Sequence, residues 1–158
     1  MSIAAELLAL AGEKGVMLTT AESCTGGMVA AALTDLPGSS AMMERGFVTY
    51  TNAAKVEMLG VSEEALAAHG AVSEPVAHEM AAGALAHSRA QVAVAITGIA
   101  GPGGSEHKPE GMVCFATATA ETVLVETVQF GALGRDQVRL AARDHALGML
   151  LAAVKNLS

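Results

Sequence analysis

Gln91-Val92-Ala93-Val94-Ala95-Ile96-Thr97 runs into a segment, Gly98 to Gly111, that holds Gly98, Gly101, Gly103, Gly104 and Gly111 together with Pro102 and Pro109. The first stretch is nearly all apolar and β-branched at alternate positions. A strand covered on both faces reads this way, so it predicts the centre of a sheet with helices above and below. The second stretch has no periodicity and predicts a long loop at that strand's carboxyl end. Loops of this length at the end of a central strand carry function more often than not.

Working outward, Ile3 to Lys14 predicts an amphipathic helix closed by Gly15, and Val16 to Glu22 a short strand. A helix is expected from Thr25 through Leu33, broken at Asp35-Leu36-Pro37-Gly38. Arg45 to Thr51 reads as a second strand and Ala53 to Leu59 as a helix ended by Gly60. Ser62 and Ser73 are expected N-caps of two further helices, the second opened by Pro75 and running to about Ser88. Met112 to Thr119 and Thr122 to Phe130 predict an antiparallel hairpin, and Arg135 to Lys155 the last helix. The order α-β-α-β-α-α-α-β-β-β-α predicts an α/β fold: a three-layer α/β/α sandwich around a mixed five-stranded sheet, formed by one domain over residues 1–158.

The composition of these 158 residues excludes several classes. Hydrophobic residues make up 52% and charged residues 16%, too apolar a balance for a disordered chain. Apolar runs are broken well before the length of a membrane span, so no membrane association is expected. Nine Lys and Arg stand against 16 Asp and Glu, for a net charge of −7, and aromatics are 3%. Neither a basic face nor a base-stacking platform is available, so no nucleic-acid partner is expected. Cys24 and Cys114 form neither a disulfide framework nor a zinc pattern, and His69, His78, His87, His107 and His145 have no close ligand spacing. No metal and no organic cofactor is expected. The start of the chain lacks a signal-peptide pattern, so the expected location is the cytoplasm. The Ala- and Met-rich apolar content predicts self-association, as a dimer.

Four segments could carry chemistry. Ala21-Glu22-Ser23-Cys24-Thr25-Gly26-Gly27 places a Ser where a strand enters a helix. Ligands of open α/β sheets bind at such strand ends. The Thr25, Gly26 and Gly27 amides, at the predicted helix start, are candidates to bind a phosphate or an oxyanion. The other reading is an N-cap Ser with packing glycines. Tyr50, the only tyrosine, ends the second strand; Asn52 is a candidate cap, and Lys55, one turn into the helix, is either a general base for a Ser or a solvated surface Lys. Thr97-Gly98-Ile99-Ala100-Gly101 forms the third segment, a phosphate-cradle-like loop without the Lys and Ser/Thr of a Walker motif, or else a plain connection. Arg135 and Arg139, at i and i+4, are a candidate anion site or a pair of surface salt bridges. Cys24 and Ser23, as neighbours, are expected to point apart.

Taken with Gly38-Ser39-Ser40, Arg45 through Asn52 and Gly70-Ala71-Val72-Ser73-Glu74, these segments resemble the CinA C-terminal domain family across essentially the whole chain. The resemblance is to the short, single-domain form, without the molybdopterin-binding-like domain of full-length members. It implies the three-layer fold. It also implies a nicotinamide-nucleotide amidase, which hydrolyses nicotinamide mononucleotide to nicotinate mononucleotide and ammonia. Ser23 would be the nucleophile, Lys55 its base and Tyr50 close by. Ser39, Ser40 and Thr97 would share binding roles with Gly98 and Gly101, and Arg135 and Arg139 would take the 5′-phosphate. The competing expectations are a nucleotide-binding regulatory module without turnover, an interaction protein, and a thiol amidase using Cys24.

Overall fold

Val92–Gly98 occupies the middle of a five-stranded sheet in the computed structural model, which describes residues 1–158. Val92 through Ile96 have no solvent exposure. The elements are α1 (Ile3–Lys14), β1 (Leu18–Glu22), α2 (Met28–Thr34), a 3₁₀ turn at Ser39–Ala41, β2 (Met43–Val48), α3 (Asn52–Leu59), α4 (Glu63–His69), α5 (Glu74–Ala86), β3 (Val92–Gly98), β4 (Met112–Ala118), β5 (Val123–Gln129) and α6 (Arg135–Lys155). The strand order is β2-β1-β3-β4-β5. β1 pairs parallel with β2 and β3, while β3–β4 and β4–β5 are antiparallel. The expected mixed sheet and element order are present.

The period of two along each strand divides the core in two. Leu18, Val92, Val94, Ile96, Val113 and Phe115 pack with α1, α2 and α6. Ala21, Ala93, Ala95, Cys114, Ala116 and Ala118 pack with α3, α4 and α5. The second face is built of small side chains, so α5 lies close against the sheet. Gly83 shows how close α3 and α5 come: a Cβ there would lie 1.9 Å from the Leu59 carbonyl oxygen. Ser2, Ser62 and Ser73 cap α1, α4 and α5, each accepting the amide three residues on.

Several boundaries differ from expectation. α2 starts at Met28, not Thr25, because Gly26 and Gly27 have φ of +56° and +106°, outside the helical region. β2 starts two residues early and ends at Val48. Thr51, not Asn52, caps α3, its Oγ1 accepting Ala54 N–H at 3.1 Å. No helix is long and apolar enough to cross a membrane.

β1 lies between β2, which it reaches through α2, and β3, which β2 reaches through α3–α5 on the other face of the sheet. The carboxyl ends of β1, β2 and β3 therefore bound a crevice, the usual place for a ligand in an open sheet.

Candidate active site

A cleft of about 310 Å³ opens at these strand ends. Ser23 and Cys24 follow β1, Tyr50 and Asn52 follow β2, and Thr97 to Glu106 continue β3; Arg135 leans in from α6 and Lys55 from α3. Ser23 is held by its own amide, which donates to the Ile96 carbonyl at 3.0 Å and so extends the β1–β3 ladder by one residue.

Lys55 is 1% exposed, among the largest fully buried side chains of the protein. Its Nζ lies 3.1 Å from Ser23 Oγ, 3.0 Å from the Thr49 carbonyl and 3.4 Å from the Tyr50 carbonyl. It takes part in no ion pair. Burial holds its pKa below the usual lysine value, against a smaller opposing pull from Cys24 and Glu106. A neutral amine has two N–H donors and one lone pair. Nζ donates to the two carbonyls and to the Ser23 hydroxyl; on losing a proton it would keep two of these donors and offer its lone pair to the Ser23 hydroxyl proton.

The turn that presents Ser23 is clamped from two sides. Inside, the Glu22 carboxylate is fully buried. Its Oε1 accepts Thr25 Oγ1–H at 2.7 Å and the Gly27 and Val29 amides at 3.2 and 2.9 Å; its Oε2 accepts Ala30 N–H at 3.0 Å. Outside, Arg139 Nε donates to the Cys24 carbonyl at 3.0 Å and Nη2 to the Thr25 carbonyl at 3.4 Å.

This geometry corrects several expectations. The Gly26 amide donates to the Ser23 carbonyl and the Gly27 amide to Glu22, so neither is free for a phosphate or an oxyanion. Thr25 is buried with its hydroxyl on Glu22 and does not line the cleft. Arg139 braces the turn and is not a cleft residue. Ser39 and Ser40 lie in the 3₁₀ turn before β2, where Met42 O accepts the Leu18 amide at the start of β1. That is the opposite end of the sheet from Ser23.

The other expected residues do meet in the cleft. Arg135 donates to Tyr50 Oη at 2.7 Å and to the Gly101 carbonyl at 2.6 Å, spanning from β2 to the glycine-rich loop. Tyr50 is 58% exposed and its phenol is paired with Arg135, so the side chain forms a wall while its backbone carbonyl touches Lys55. Thr97 donates its hydroxyl to the Ala71 carbonyl at 2.9 Å and fixes the cleft floor to the α4–α5 connection. Gly98 has no room for a side chain, since a Cβ would meet Val113 at 2.7 Å; one on Gly101 would meet the Glu110 carboxyl group at 2.5 Å.

Cys24 borders the cleft but packs into the core cluster with Phe115 and Val138, and burial pushes its thiol up to about 11. Glu22 and Glu106 were not singled out from the sequence. An acid placed before Thr-Gly-Gly was the available signal for Glu22; Glu106 had none, because only folding brings the loop over Lys55. No group of three or more His, Cys, Asp or Glu stands together as a metal cluster.

The family model of the CinA C-terminal domain matches residues 1–154. The chain belongs to this family. The curated protein "Nicotinamide-nucleotide amidohydrolase PncC" of Escherichia coli K12 is 58% identical over 138 residues, covering 87% of this chain and 84% of that protein. The Enterobacter agglomerans protein of the same name is 54% identical over 147 residues, covering 92% and 89%. Among solved CinA structures, competence/damage inducible protein CihA of Agrobacterium tumefaciens superposes with a TM-score of 0.93 at 51% identity, covering 98% of this chain and 94% of that one. The CinA superfamily protein ECK1530/EC0983 of Escherichia coli gives 0.92 at 39% identity, covering 96% and 88%. The CinA fold is therefore the fold of this chain.

Proposed function

We propose that this protein is a nicotinamide-nucleotide amidohydrolase that converts nicotinamide mononucleotide to nicotinate mononucleotide and ammonia through Ser23 and Lys55. The substrate comes from the names of the relatives. The chemistry rests on one observation: an unpaired, buried lysine 3.1 Å from a serine hydroxyl at a strand-end cleft. Desolvation favours the neutral amine, the form that can take the Ser23 proton.

In the first half-reaction, Ser23 Oγ attacks the carboxamide carbon as its proton passes to Lys55 Nζ. The tetrahedral oxyanion needs backbone N–H donors. Ladder alternation favours Gly98: Ile99 turns its amide to β4, donating to Met112 O at 2.9 Å, so Gly98 turns its amide to the β1 side, past the end of that strand. The C–N bond then breaks as Lys55 returns the proton to the departing nitrogen, which leaves as ammonia. In the second half, water loses a proton to Lys55 and attacks the Ser23 ester. The ester C–O bond breaks, and Ser23 Oγ recovers the proton. Arg135, with an exposed guanidinium beside the glycine-rich loop, is the phosphate anchor. The dimeric state and the cytoplasmic location are part of the same reading.

The test is ammonia release from nicotinamide mononucleotide, with the acid product identified by mass and a chelator present. Wild type, Ser23→Ala, Lys55→Ala and Cys24→Ala are compared. Turnover lost in the first two variants and kept in the third supports the Ser–Lys amidase. Saturable binding to a folded wild type without ammonia release would replace it with the regulatory-module reading.

A further inference from the structure

Three charged side chains line the cleft, and only one is an acid: Glu106. It belongs to the loop between β3 and β4, at a site of unusual backbone. Glu106 and His107 have φ of +52° and +64°, a left-handed conformation that non-glycine residues adopt rarely and that gathers at ligand clamps. The tip is held in place. Ser105 and Lys108 exchange backbone hydrogen bonds at 3.0 and 2.8 Å, and Lys108 Nζ donates to the His69 and Val72 carbonyls. Gly70 makes room for the acid, since a Cβ there would collide with Glu106 Oε2. Thus the loop is pinned to the α4–α5 connection with the carboxylate over the cleft. That carboxylate makes no hydrogen bond or ion pair; Lys108, the nearby cation, places two of its three donors on carbonyls.

Arg135 reaches the cleft from α6, in one helical layer, and Glu106 rests on the α4–α5 connection of the other. The reacting pair Ser23–Lys55 lies in the same cleft. A ligand that fits this pattern carries a negative group at one end and a positive group near the reacting amide. We propose that Glu106 is a specificity-determining residue that selects a cationic, N-ribosylated pyridinium ring over an uncharged ring of the same shape. The proposal rests on the amidase reading for its substrate and goes beyond it in naming the carboxylate that reads the ring's charge.

The arrangement has a consequence for the base. The Glu106 charge is felt at Lys55, where it favours the ammonium form. A pyridinium paired with Glu106 cancels that pull and adds its own positive field, so the bound substrate leaves Lys55 more neutral than in the empty cleft. Only a cationic ring does this.

The experiment compares nicotinamide mononucleotide with the 5′-phosphate of its C-riboside analogue, in which 3-carbamoylphenyl replaces the pyridinium. Wild type and Glu106→Gln are assayed for kcat/KM on both. Affinities are measured by calorimetry in a Ser23→Ala background. The intrinsic reactivity of the two amides cancels when the variant's preference is divided by that of the wild type. Because Glu106 is exposed and screened, the expected change is modest: the preference for the cationic ring falls about tenfold in Glu106→Gln. An unchanged preference overturns the proposal, whether or not absolute rates fall. Absence of ammonia from both compounds with wild type would refute the amidase reading instead, and the calorimetric preference would still decide the role of Glu106.

Discussion

Arg139 Nε donates to the Cys24 carbonyl at 3.0 Å, closing from outside the turn that the Glu22 carboxylate closes from within. The two arginines that share one face of α6 thus do different work. Arg135, one turn earlier, reaches the cleft; Arg139 holds the backbone that carries Ser23. Arg135→Ala is expected to raise KM about tenfold with little loss of kcat, as for a group that binds ground and transition state alike. Arg139→Ala is expected to lower kcat while KM changes little. Steady-state kinetics of both variants check this, and equal KM effects would return Arg139 to phosphate binding.

Replacing the reacting groups has a sharper signature. Ser23→Ala and Lys55→Ala are each expected to cut kcat by about a thousandfold or more, and the double variant by little beyond either single one, because the two act as a unit. Cys24→Ala is expected to keep turnover within about threefold. Its thiol is buried and pushed up to about 11, too high for a nucleophile at neutral pH.

The Lys55 ionisation appears in both rate and stability. The neutral amine is the active base, so kcat/KM rises with pH through the lowered Lys55 pKa and then levels. In the unfolded chain the lysine titrates near 10.5. Between the folded and unfolded values the unfolded state binds the extra proton, so stability rises with pH across that window. Below it, the cost of burying the ammonium is present in full; above it, the cost is gone. Lys55→Met lacks this dependence. The stability difference between wild type and Lys55→Met should therefore move in favour of wild type as pH climbs towards 10.5. Urea titrations at several pH values measure it, and a pH-independent difference refutes the assignment.

The Glu22 cap is a stability element with a graded test. Glu22→Gln places an amide donor against four donors and is expected to cost about 3 kcal/mol. Thr25→Val removes one of them and leaves Oε1 two amides, so about 1 kcal/mol is expected. Denaturant midpoints rank the two, and a larger cost for Thr25→Val would contradict the buried-carboxylate account.

Gly83→Ala probes the close approach of α5 to α3. Its Cβ would sit 1.9 Å from the Leu59 carbonyl oxygen, which is backbone and has little freedom to yield. The expected cost is about 3 kcal/mol, or about 10 °C in Tm. Gly148→Ala, in open space on α6, is the control and should be neutral or mildly stabilising.

What the sequence by itself determined was the order of elements and the layers. The run Val92 to Thr97, the serine caps and the glycine stops at Gly15 and Gly60 are local signals, each set by neighbours a few residues away. They were enough to place α6 at Arg135–Lys155 and the strand ends at the cleft. Boundaries differ where a side chain takes the backbone's donors, as where the Gly27 amide and the Thr25 hydroxyl, read as part of an open helix start, bond the Glu22 carboxylate.

Only the tertiary structure decided which polar groups meet. Lys55 by itself reads more readily as a surface lysine, because nothing nearby in the chain shows that α3 packs against the end of β1; Ser23 is 32 residues away. The spacing of Arg135 and Arg139 put them on one helix face but not which of them that face turns to the cleft. Glu106 acquires its place only when the loop is pinned over Gly70. Periodicity is carried by the local chain and survives in the sequence. Desolvation and pairing depend on contacts between distant segments, and they exist only once the sheet has brought its strand ends together.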